Sequence, residues 1–284
     1  MTKRTVQKYR LTPMTIVYLG ILLFAVFYVW PLVNLTGTSV GWEKISFHGY
    51  VKAIKEPVYR EVILNTLRIS LLVTIFCLLV GYPYAKLLSY LQGTTRKVAY
   101  VIAVLPIFVN PLAVICAWRI ILERYGLVNR LLLTLGLVNE PIALCYNIFS
   151  VTLVMTYLLL PFVVLPCYAA IASLDRSLLA AAQNLGASTL QIFLRVELPL
   201  CMPSIATGAL LAFVLALGYF VVPAVLGGSG ETMISMLIAR QFNILFDWEL
   251  ASSLSVLLGL SVIILLTVGL TLVQLWERKL RTVI

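Results

Sequence analysis

The chain contains six apolar stretches that are long enough, or nearly long enough, to cross a lipid bilayer as helices. A helix needs about 20 residues to span a hydrocarbon core of roughly 30 Å. Only 11% of the 284 residues are charged and 62% are hydrophobic, whereas a soluble domain has about 25% charged residues. We therefore predict an all-α integral membrane protein with a single transmembrane domain over residues 1–284. The six predicted spans are 14–33, 69–85, 98–118, a helix near 149–170, one within 198–230, and 250–276.

The first apolar stretch has a second interpretation, because four basic residues precede it as they do in a secretory signal peptide. Bulky Trp30 follows the stretch where a cleavage site would need small residues. We therefore favour a retained span, preceded by a cytoplasmic N-terminal tail over residues 1–13.

The basic residues set the predicted orientation. An even number of spans places both termini on one side, and the two tails with two short connections on that side hold more than half of the 21 Lys and Arg residues. By the positive-inside rule both termini are predicted to be cytoplasmic. This rule also explains the net charge of +10, because the basic residues flank apolar runs and do not form stripes with aromatics. No nucleic-acid partner is expected.

Three longer segments are predicted on the opposite, extracytoplasmic face: 34–68, 119–141 and 225–250. Within the second of them, residues 126–135 are amphipathic and too short to span, which predicts a helix lying at the membrane interface. Such a helix either caps an opening or is a plain connector.

Several kinds of chemistry lack the residues that they need. His48 is the only histidine, and the five cysteines are scattered without a CxxC pair, so we predict apolar packing roles for the cysteines and no metal site. No phosphate-binding P-loop occurs, and residues 227–230, Gly-Gly-Ser-Gly, lack its lysine and are predicted to form a flexible turn. No cofactor is expected on this chain.

The acidic residues are all predicted to lie outside the helix centres. An ion-coupled carrier normally keeps an ionisable group inside the membrane to bind the driving ion. The energy for any transport by this chain is therefore expected to come from a separate protein.

The cytoplasmic connection over residues 174–199, here called the elbow, predicts two short helices joined by a glycine. Asp175 or Ser177 caps the first helix, and Gly186 ends it. Ser188 starts the second helix, because a glutamine follows it three residues later as in a capping box. A helix–glycine–helix segment with small residues suits docking into a groove of another protein, although these features alone also fit an ordinary connection.

The elbow resembles the EAA loop of ATP-binding-cassette (ABC) importer permeases, whose pattern is Glu-Ala-Ala, three residues, Gly, nine residues, Ile, any residue, Leu-Pro. Every spacing is intact, but Val196 stands for the isoleucine and Ala180 replaces the glutamate, so one charged contact to the ATPase lacks its acid. The residues to which the resemblance assigns ATPase coupling are Ala180, Ala181, Ala182, Gly186, Ser188, Val196, Leu198 and Pro199.

The resemblance extends over most of the chain and points to the spermidine/putrescine permease B-like branch. It is carried by Gly-Tyr-Pro-Tyr-Ala at 81–85, by Leu-Pro-Phe at 160–162 with Pro166 and Tyr168, and by residues 173–175 and 185–188. It implies a type I importer permease in the bacterial inner membrane.

The resemblance also implies partners and a function. The partners are a dimeric ATPase that holds ATP and Mg, a second permease in a heterodimer, an extracytoplasmic solute-binding protein and the lipid bilayer. The chain itself is a transport subunit and not an enzyme. It would move a small polar solute, polyamine-like or related; similar sequences serve polyamines, opines and phosphonates, so the solute stays open.

Prolines mark predicted bends in three spans. Pro106 and Pro111 flank Asn110 in the third, two prolines are expected to break the fourth, and Pro223 is expected to end the fifth. Such bends either line a pathway or only shape helix packing. The fourth-span prolines are Pro161 and Pro166.

Four polar residues are candidates for the substrate pathway, although each also fits a helix–helix hydrogen bond. A cationic solute that crosses this half of the pathway is expected to meet tyrosine and tryptophan faces but no buried carboxylate. For a polyamine, either a partner supplies the acids, or the solute is held weakly, or the solute is not a polyamine. The candidates are Asn110, Tyr157, Tyr168 and Tyr219.

Two other functions compete with an importer permease. An ATP-independent secondary carrier or channel would call for a buried ionisable residue and more spans, and a purely structural membrane protein would not need the elbow. We predict the importer permease, with the carrier or channel subunit as the alternative.

Overall fold

A computed structural model describes residues 13–41 and 45–283, so the predicted tail lies almost wholly outside the described residues. All regular structure in these ranges is helical, which confirms the all-α prediction. The first seven α-helices are α1 (Pro13–Phe24), α2 (Trp30–Val40), α3 (His48–Lys55), α4 (Pro57–Tyr90), α5 (Gly93–Phe108), α6 (Pro111–Leu122) and α7 (Leu127–Thr134). The others are α8 (Ile148–Ser173), α9 (Arg176–Asn184), α10 (Thr189–Ile192), α11 (Leu198–Leu217), α12 (Val221–Leu226), α13 (Ile234–Arg240) and α14 (Trp248–Val283).

Five helical runs in the described residues are long and apolar enough to cross a membrane, and a bent pair gives a sixth. Helix α1 continues into α2 through a π-helical turn over Ala25–Val29, so the first span extends beyond its predicted end. The five runs are Val17–Val40, Pro57–Tyr90, Ile148–Ser173, Thr189–Leu217 and Trp248–Trp276.

The third predicted span, 98–118, is wrong as one continuous helix. It is broken after Phe108, and the run that begins at Pro111 is bent by 103° from α5. The Asn110 carboxamide oxygen accepts a hydrogen bond from the Leu112 N–H at 2.9 Å and starts α6, with Pro111 in its first turn. A side-chain cap and a proline at the first helical position start a new helix, which hydropathy alone does not show.

Two proline predictions are also corrected. Pro161 and Pro166 do not break α8, which is continuous over Ile148–Ser173, because a membrane helix tolerates proline where neighbouring helices cover the freed backbone groups. The fifth span ends at Leu217, before Gly218, and Pro223 lies in the separate helix α12. Glycine is a poor helix former and provides the earlier stop.

Helices α4, α8 and α11 pack on one another to form the core. Small residues allow this close packing: a Cβ atom built at Gly81 of α4 would lie 3.0 Å from a Val163 methyl group of α8. A Cβ atom at Gly208 of α11 would lie 3.2 Å from the Val163 Cα atom. Small residues at such interfaces let membrane helices approach closely. Helix α5 packs on α8, and α14 packs on α11 and α2.

A second cluster joins α3, α13 and the first turns of α4 and α14. The buried Thr66 hydroxyl of α4 accepts a hydrogen bond from the Ile234 N–H at 2.9 Å. Helix α4 has 34 residues, so this cluster lies about 30 Å or more along α4 from the residues that meet the elbow. A short helix is present within the predicted 126–135 as α7, although its place at the membrane interface stays a prediction, and its buried Asn129 exchanges two hydrogen bonds with the Ile142 backbone, each 2.9 Å.

Candidate coupling site

The first half of the elbow is helix α9, which is capped by its own residues. The Asp175 Oδ1 atom accepts a hydrogen bond from the Ser177 N–H at 2.8 Å. The hydrogen bonds from Ser177 hold the pKa of Asp175 below its ordinary value, because they favour the charged carboxylate. Of the two predicted caps, Asp175 is therefore the one that the structure uses.

The elbow turns at Gly186, whose φ of +81° lies in the left-handed region. Its N–H donates to the Gln183 carbonyl at 2.9 Å, and the Ala187 N–H donates to the Ala182 carbonyl at 3.1 Å. These two hydrogen bonds form a Schellman motif, which typically has glycine at this position. The predicted glycine stop is confirmed.

The second half of the elbow begins at the predicted capping box. The Gln191 N–H donates to Ser188 Oγ at 3.3 Å, and the Ser188 N–H donates to Gln191 Oε1 at 2.8 Å. The helix that follows is not separate from the fifth span, since Thr189–Leu217 forms one run of 29 residues. The turn is therefore joined to α11 by helical backbone without an intervening loop.

Large apolar side chains are exposed at this turn. Leu185 is 88% exposed and Leu190 is 65% exposed. Ala180 and Ala181, one turn earlier in α9, are exposed as well. Exposed leucines beside small residues, on a segment with polar neighbours, are typical of a protein-contact surface.

The eight predicted coupling residues divide into two groups. The first group lies on α9 and the turn and is mostly exposed. The second group is half-buried where the helix enters the core, so it anchors the elbow and does not present a surface. The first group is Ala180, Ala181, Ala182, Gly186 and Ser188, and the second is Val196, Leu198 and Pro199.

A buried carboxylate that the sequence pattern does not indicate lies at the base of the elbow. Glu197 is 6% exposed, and its Oε2 atom is 2.9 Å from Lys86 Nζ of α4. The Tyr82 hydroxyl donates to Glu197 Oε1 at 3.1 Å. The expectation that this half of the pathway holds no buried carboxylate is therefore wrong, although Lys86 neutralises the charge. In the sequence each of the two charges lies at the edge of an apolar run, and no sequence pattern pairs them.

Two of the predicted pathway residues share a face of α8. Tyr157 contacts Trp118 of α6 edge to face at 5.9 Å, and Tyr168 contacts Tyr100 of α5 at 6.1 Å. They are eleven residues apart, which places them about 16 Å apart along the helix on nearly the same face. This face of α8 therefore meets both halves of the broken third span.

The other two pathway candidates lie elsewhere. Asn110 is exposed and its carboxamide caps α6. Tyr219 follows the fifth span, half-buried, and its carbonyl accepts a hydrogen bond from the Ser235 hydroxyl at 2.6 Å. A capping role thus accounts for the Asn110 side chain, whereas the hydrogen bond at Tyr219 involves only its backbone, and the pathway role of its side chain stays a prediction.

The first half of the glycine-rich segment 227–230 is closely packed, whereas Ser229 and Gly230 are exposed, and the flexibility of the turn stays a prediction. The Gly228 N–H donates to Glu231 Oε2 and the Asn65 side chain donates to the Gly230 carbonyl, each at 2.8 Å. A Cβ atom at Gly228 would lie 2.5 Å from the Tyr146 carbonyl oxygen. The glycine is required here by close approach of the backbone.

Four of the five cysteines are buried as predicted, but Cys116 is exposed, and all five are free thiols. Burial raises the pKa of the Cys145 thiol, which also lies near Glu123. Within the described ranges, no three His, Cys, Asp or Glu side chains are grouped so that they could hold a metal ion.

The family model described as "Binding-protein-dependent transport system inner membrane component" matches residues 62–282. The chain therefore belongs to this family of ABC importer permeases. The spermidine/putrescine transport system permease protein PotB of Escherichia coli (strain K12) is 36% identical over 222 residues, covering 78% of each chain. PotB of Haemophilus influenzae is 39% identical over 212 residues, covering 75% of this chain and 73% of that protein.

A solved structure shows the same fold. A bacterial ABC transporter involved in the import of the acidic polysaccharide alginate aligns with a TM-score of 0.70, covering 92% of this chain and 94% of that chain. Its sequence identity is 22%. The type I permease fold is confirmed by this match. The relatives are transport subunits and not enzymes, as predicted.

Proposed function

We propose that this chain forms one half of a pore that admits a polyamine-like solute across the bacterial inner membrane, with the elbow docked on an ATPase subunit. The observation that carries the proposal is the exposed apolar turn, with Leu185 88% exposed. It stands at the end of a helix continuous with the fifth span.

The partners follow from the surfaces that the chain leaves uncovered. Helix α5 exposes a row of apolar side chains, with Phe108 83% exposed, which fits a second permease across the pore. The solute comes from a binding protein at the end opposite the elbow, and the ATPase lies at the elbow end with both termini. ATP and Mg bind to the ATPase subunit and not to this chain.

The pore works by rigid-body movement. Closure of the ATPase dimer moves the docked turn, and the fused helix carries α11 with it. Tyr157 and Tyr168 of α8 face the broken third span, and α11 packs on α8, so movement of α11 that carries α8 with it changes the space beside these tyrosines.

The solute proposal rests on the two relatives named for spermidine and putrescine. Aromatic faces along α8 suit ammonium groups through cation–π contacts. The buried Glu197 is already paired with Lys86, so free carboxylates for a polyamine come from the second permease or the binding protein.

The experiment is reconstitution of this chain with an ATPase subunit, a second permease and a solute-binding protein from the same organism. We expect uptake of labelled spermidine or putrescine only with ATP on the elbow side and binding protein on the other side. Uptake driven by an ion gradient without ATP would instead establish a secondary carrier. ATP hydrolysis stimulated by another loaded binding protein, with no polyamine uptake, would correct the solute alone.

The docking role is tested by Gly186→Asp, which places a charge in the proposed contact. Gly186→Asn is the matched control, because aspartate and asparagine both tolerate the left-handed backbone conformation and differ mainly in charge. We expect Gly186→Asp to abolish solute-stimulated hydrolysis while membrane insertion persists, and Gly186→Asn to cause a smaller loss. Equal activity of Gly186→Asp and the wild type would overturn the docking role.

A further inference from the structure

Four side chains join the elbow to α4 in a compact cluster. Tyr82 and Lys86 are four residues apart on α4, and Phe193 and Glu197 are four residues apart at the base of the elbow. Residues at this spacing lie on one face of a helix. The face of α4 that holds Tyr82 and Lys86 therefore meets the face of the elbow that holds Phe193 and Glu197. We call these four residues the clamp.

Each member of one pair contacts both members of the other. The Lys86 ammonium lies 2.9 Å from Glu197 Oε2 and 4.5 Å from the centre of the Phe193 ring. The Tyr82 hydroxyl donates to Glu197 Oε1 at 3.1 Å, and the Tyr82 ring lies 5.9 Å from the Phe193 ring. Both carboxylate oxygens therefore have partners, and the cluster fixes α4 and the elbow in one relative position.

Net stabilisation does not explain a charge pair at this place. The Glu197 side chain is only 8% exposed and that of Lys86 is 26% exposed. Taking two charges out of water costs about as much as their attraction returns, and apolar residues of similar volume often serve stability equally well. Such a pair instead favours one relative position of the two helices, because any other position would leave a buried charge without its partner, which is energetically costly.

The clamp also spans the last irregular turn of the elbow, which lies directly before α11. Phe193 and Glu197 are the first and last residues of a π-helical turn, and the Leu198 N–H bonds to the Phe193 carbonyl. Such turns interrupt the α-helical hydrogen-bond pattern and are frequent at functional sites. Both ends of this turn are thus held against α4, where the run would otherwise bend most easily.

We propose that the clamp makes the elbow, α4 and α11 move as one body, with Lys86 and Glu197 as positioning residues for energy coupling. This inference rests on the proposed function, because the movement is the one that the ATPase imposes. Without the clamp, the turn would still dock, but its displacement would be absorbed at the π-helical turn and would not reach α4.

The first test measures solute transported per ATP hydrolysed in the reconstituted importer. Lys86→Met and Glu197→Gln each break the pair, and the double variant removes both charges, so no uncompensated charge threatens folding. We expect the double variant to assemble and to transport on the order of tenfold less solute per ATP, a typical size for coupling between sites. The exchange Lys86→Glu with Glu197→Lys restores an ion pair and should recover part of the ratio.

Tyr82→Phe removes one hydroxyl and keeps the ring, so it provides a variant that folds if the charge variants do not. We expect a smaller fall in the same ratio. An unchanged ratio in assembled Tyr82→Phe and double-variant importers would overturn the proposal.

The second test uses the chain without an ATPase. Its result therefore tests the clamp even if the proposed function is wrong. Spin labels on cysteines introduced at Gln183 and Tyr90, both exposed, report the distance between the elbow and the end of α4. Cys116 is exposed and is replaced by alanine, while the other four cysteines are buried. We expect a narrow distance distribution that broadens in the Lys86→Met, Glu197→Gln double variant. Identical distributions would contradict the clamp.

Discussion

Gly186 shows how a single residue sets the shape of the proposed docking surface. Its φ is +81° and no atom lies within 4 Å of a Cβ built there, so backbone conformation and not crowding demands glycine. The left-handed region is costly for residues with a Cβ atom, and less so for asparagine. The Schellman hydrogen bonds depend on that conformation.

We predict that Gly186→Ala weakens the turn by about 1–2 kcal/mol, the cost of a left-handed non-glycine residue. Hydrogen exchange at the Ala187 amide, which donates to the Ala182 carbonyl, should become faster. Gly186→Asn serves as the control and should show a smaller change. Equal exchange rates in Gly186→Ala and the wild type would show that the turn does not need this conformation.

Asp175 gives the elbow a defined pH dependence. The hydrogen bonds from Ser177 lower the pKa of Asp175 in the folded chain. The stabilisation that the Asp175 cap gives to α9 is therefore complete above the pKa of the unfolded chain, and it is lost as the pH falls through the lowered pKa. We predict full protection of α9 against hydrogen exchange at neutral pH and weaker protection in strong acid. Asp175→Asn keeps a capping oxygen and should remove the pH dependence, whereas Asp175→Ala should lose protection at every pH. A pH-independent wild type would contradict the capping role.

At the scale of elements, the packing of α11 on α8 decides how movement passes through the core. Gly208 brings the two helices together, since a Cβ atom there would lie 3.1 Å from Pro166 Cγ and 3.2 Å from Val163 Cα. Contacts this short are tighter than most that real Cβ atoms make, so a side chain at this position would require α8 to shift by a few tenths of an ångström. The same α8 valine faces Gly81 of α4, so the three core helices meet at one point.

We predict that Gly208→Val lowers the free energy of unfolding by about 1–3 kcal/mol through overpacking. Gly259→Val is the matched control, because it lies on α14 with no atom within 4 Å of a built Cβ. Thermal unfolding of the two variants in the same detergent provides the comparison. A drop in the midpoint for both variants, or for neither, would show that the close contact does not set stability.

The elements that sequence predicts well are those set by local rules. Ser188 with Gln191, Asp175 and Gly186 act over three or four residues, and the structure confirms each of them. The fusion of the second elbow helix with α11 was not predicted, because Pro199 reads as a boundary in the sequence but occupies the first turn of a helix, where proline is tolerated.

At the scale of the whole molecule, hydropathy finds the spans but not their breaks or their pairings. The third span has sufficient apolar length, yet Asn110 and Pro111 start a new helix within it. Lys86 and Glu197 are 111 residues apart in the chain, so no local pattern joins them, and each looks like a charge at the edge of its span. Long-range pairing of this kind is visible only once the helices are packed.

Contact between the exposed turn of the elbow and the ATPase is the step on which the proposed function depends. A photo-reactive amino acid in place of Leu185, which is 88% exposed, reports what the turn touches in the assembled importer. The control is the same substitution at Leu137, which is 67% exposed. Leu137 follows α7 and is proposed to lie at the end of the helices opposite the elbow. We predict a covalent adduct with the ATPase subunit from position 185 and none from position 137. An intact, ATP-hydrolysing importer that gives no ATPase adduct from position 185 would show that the turn does not contact the ATPase.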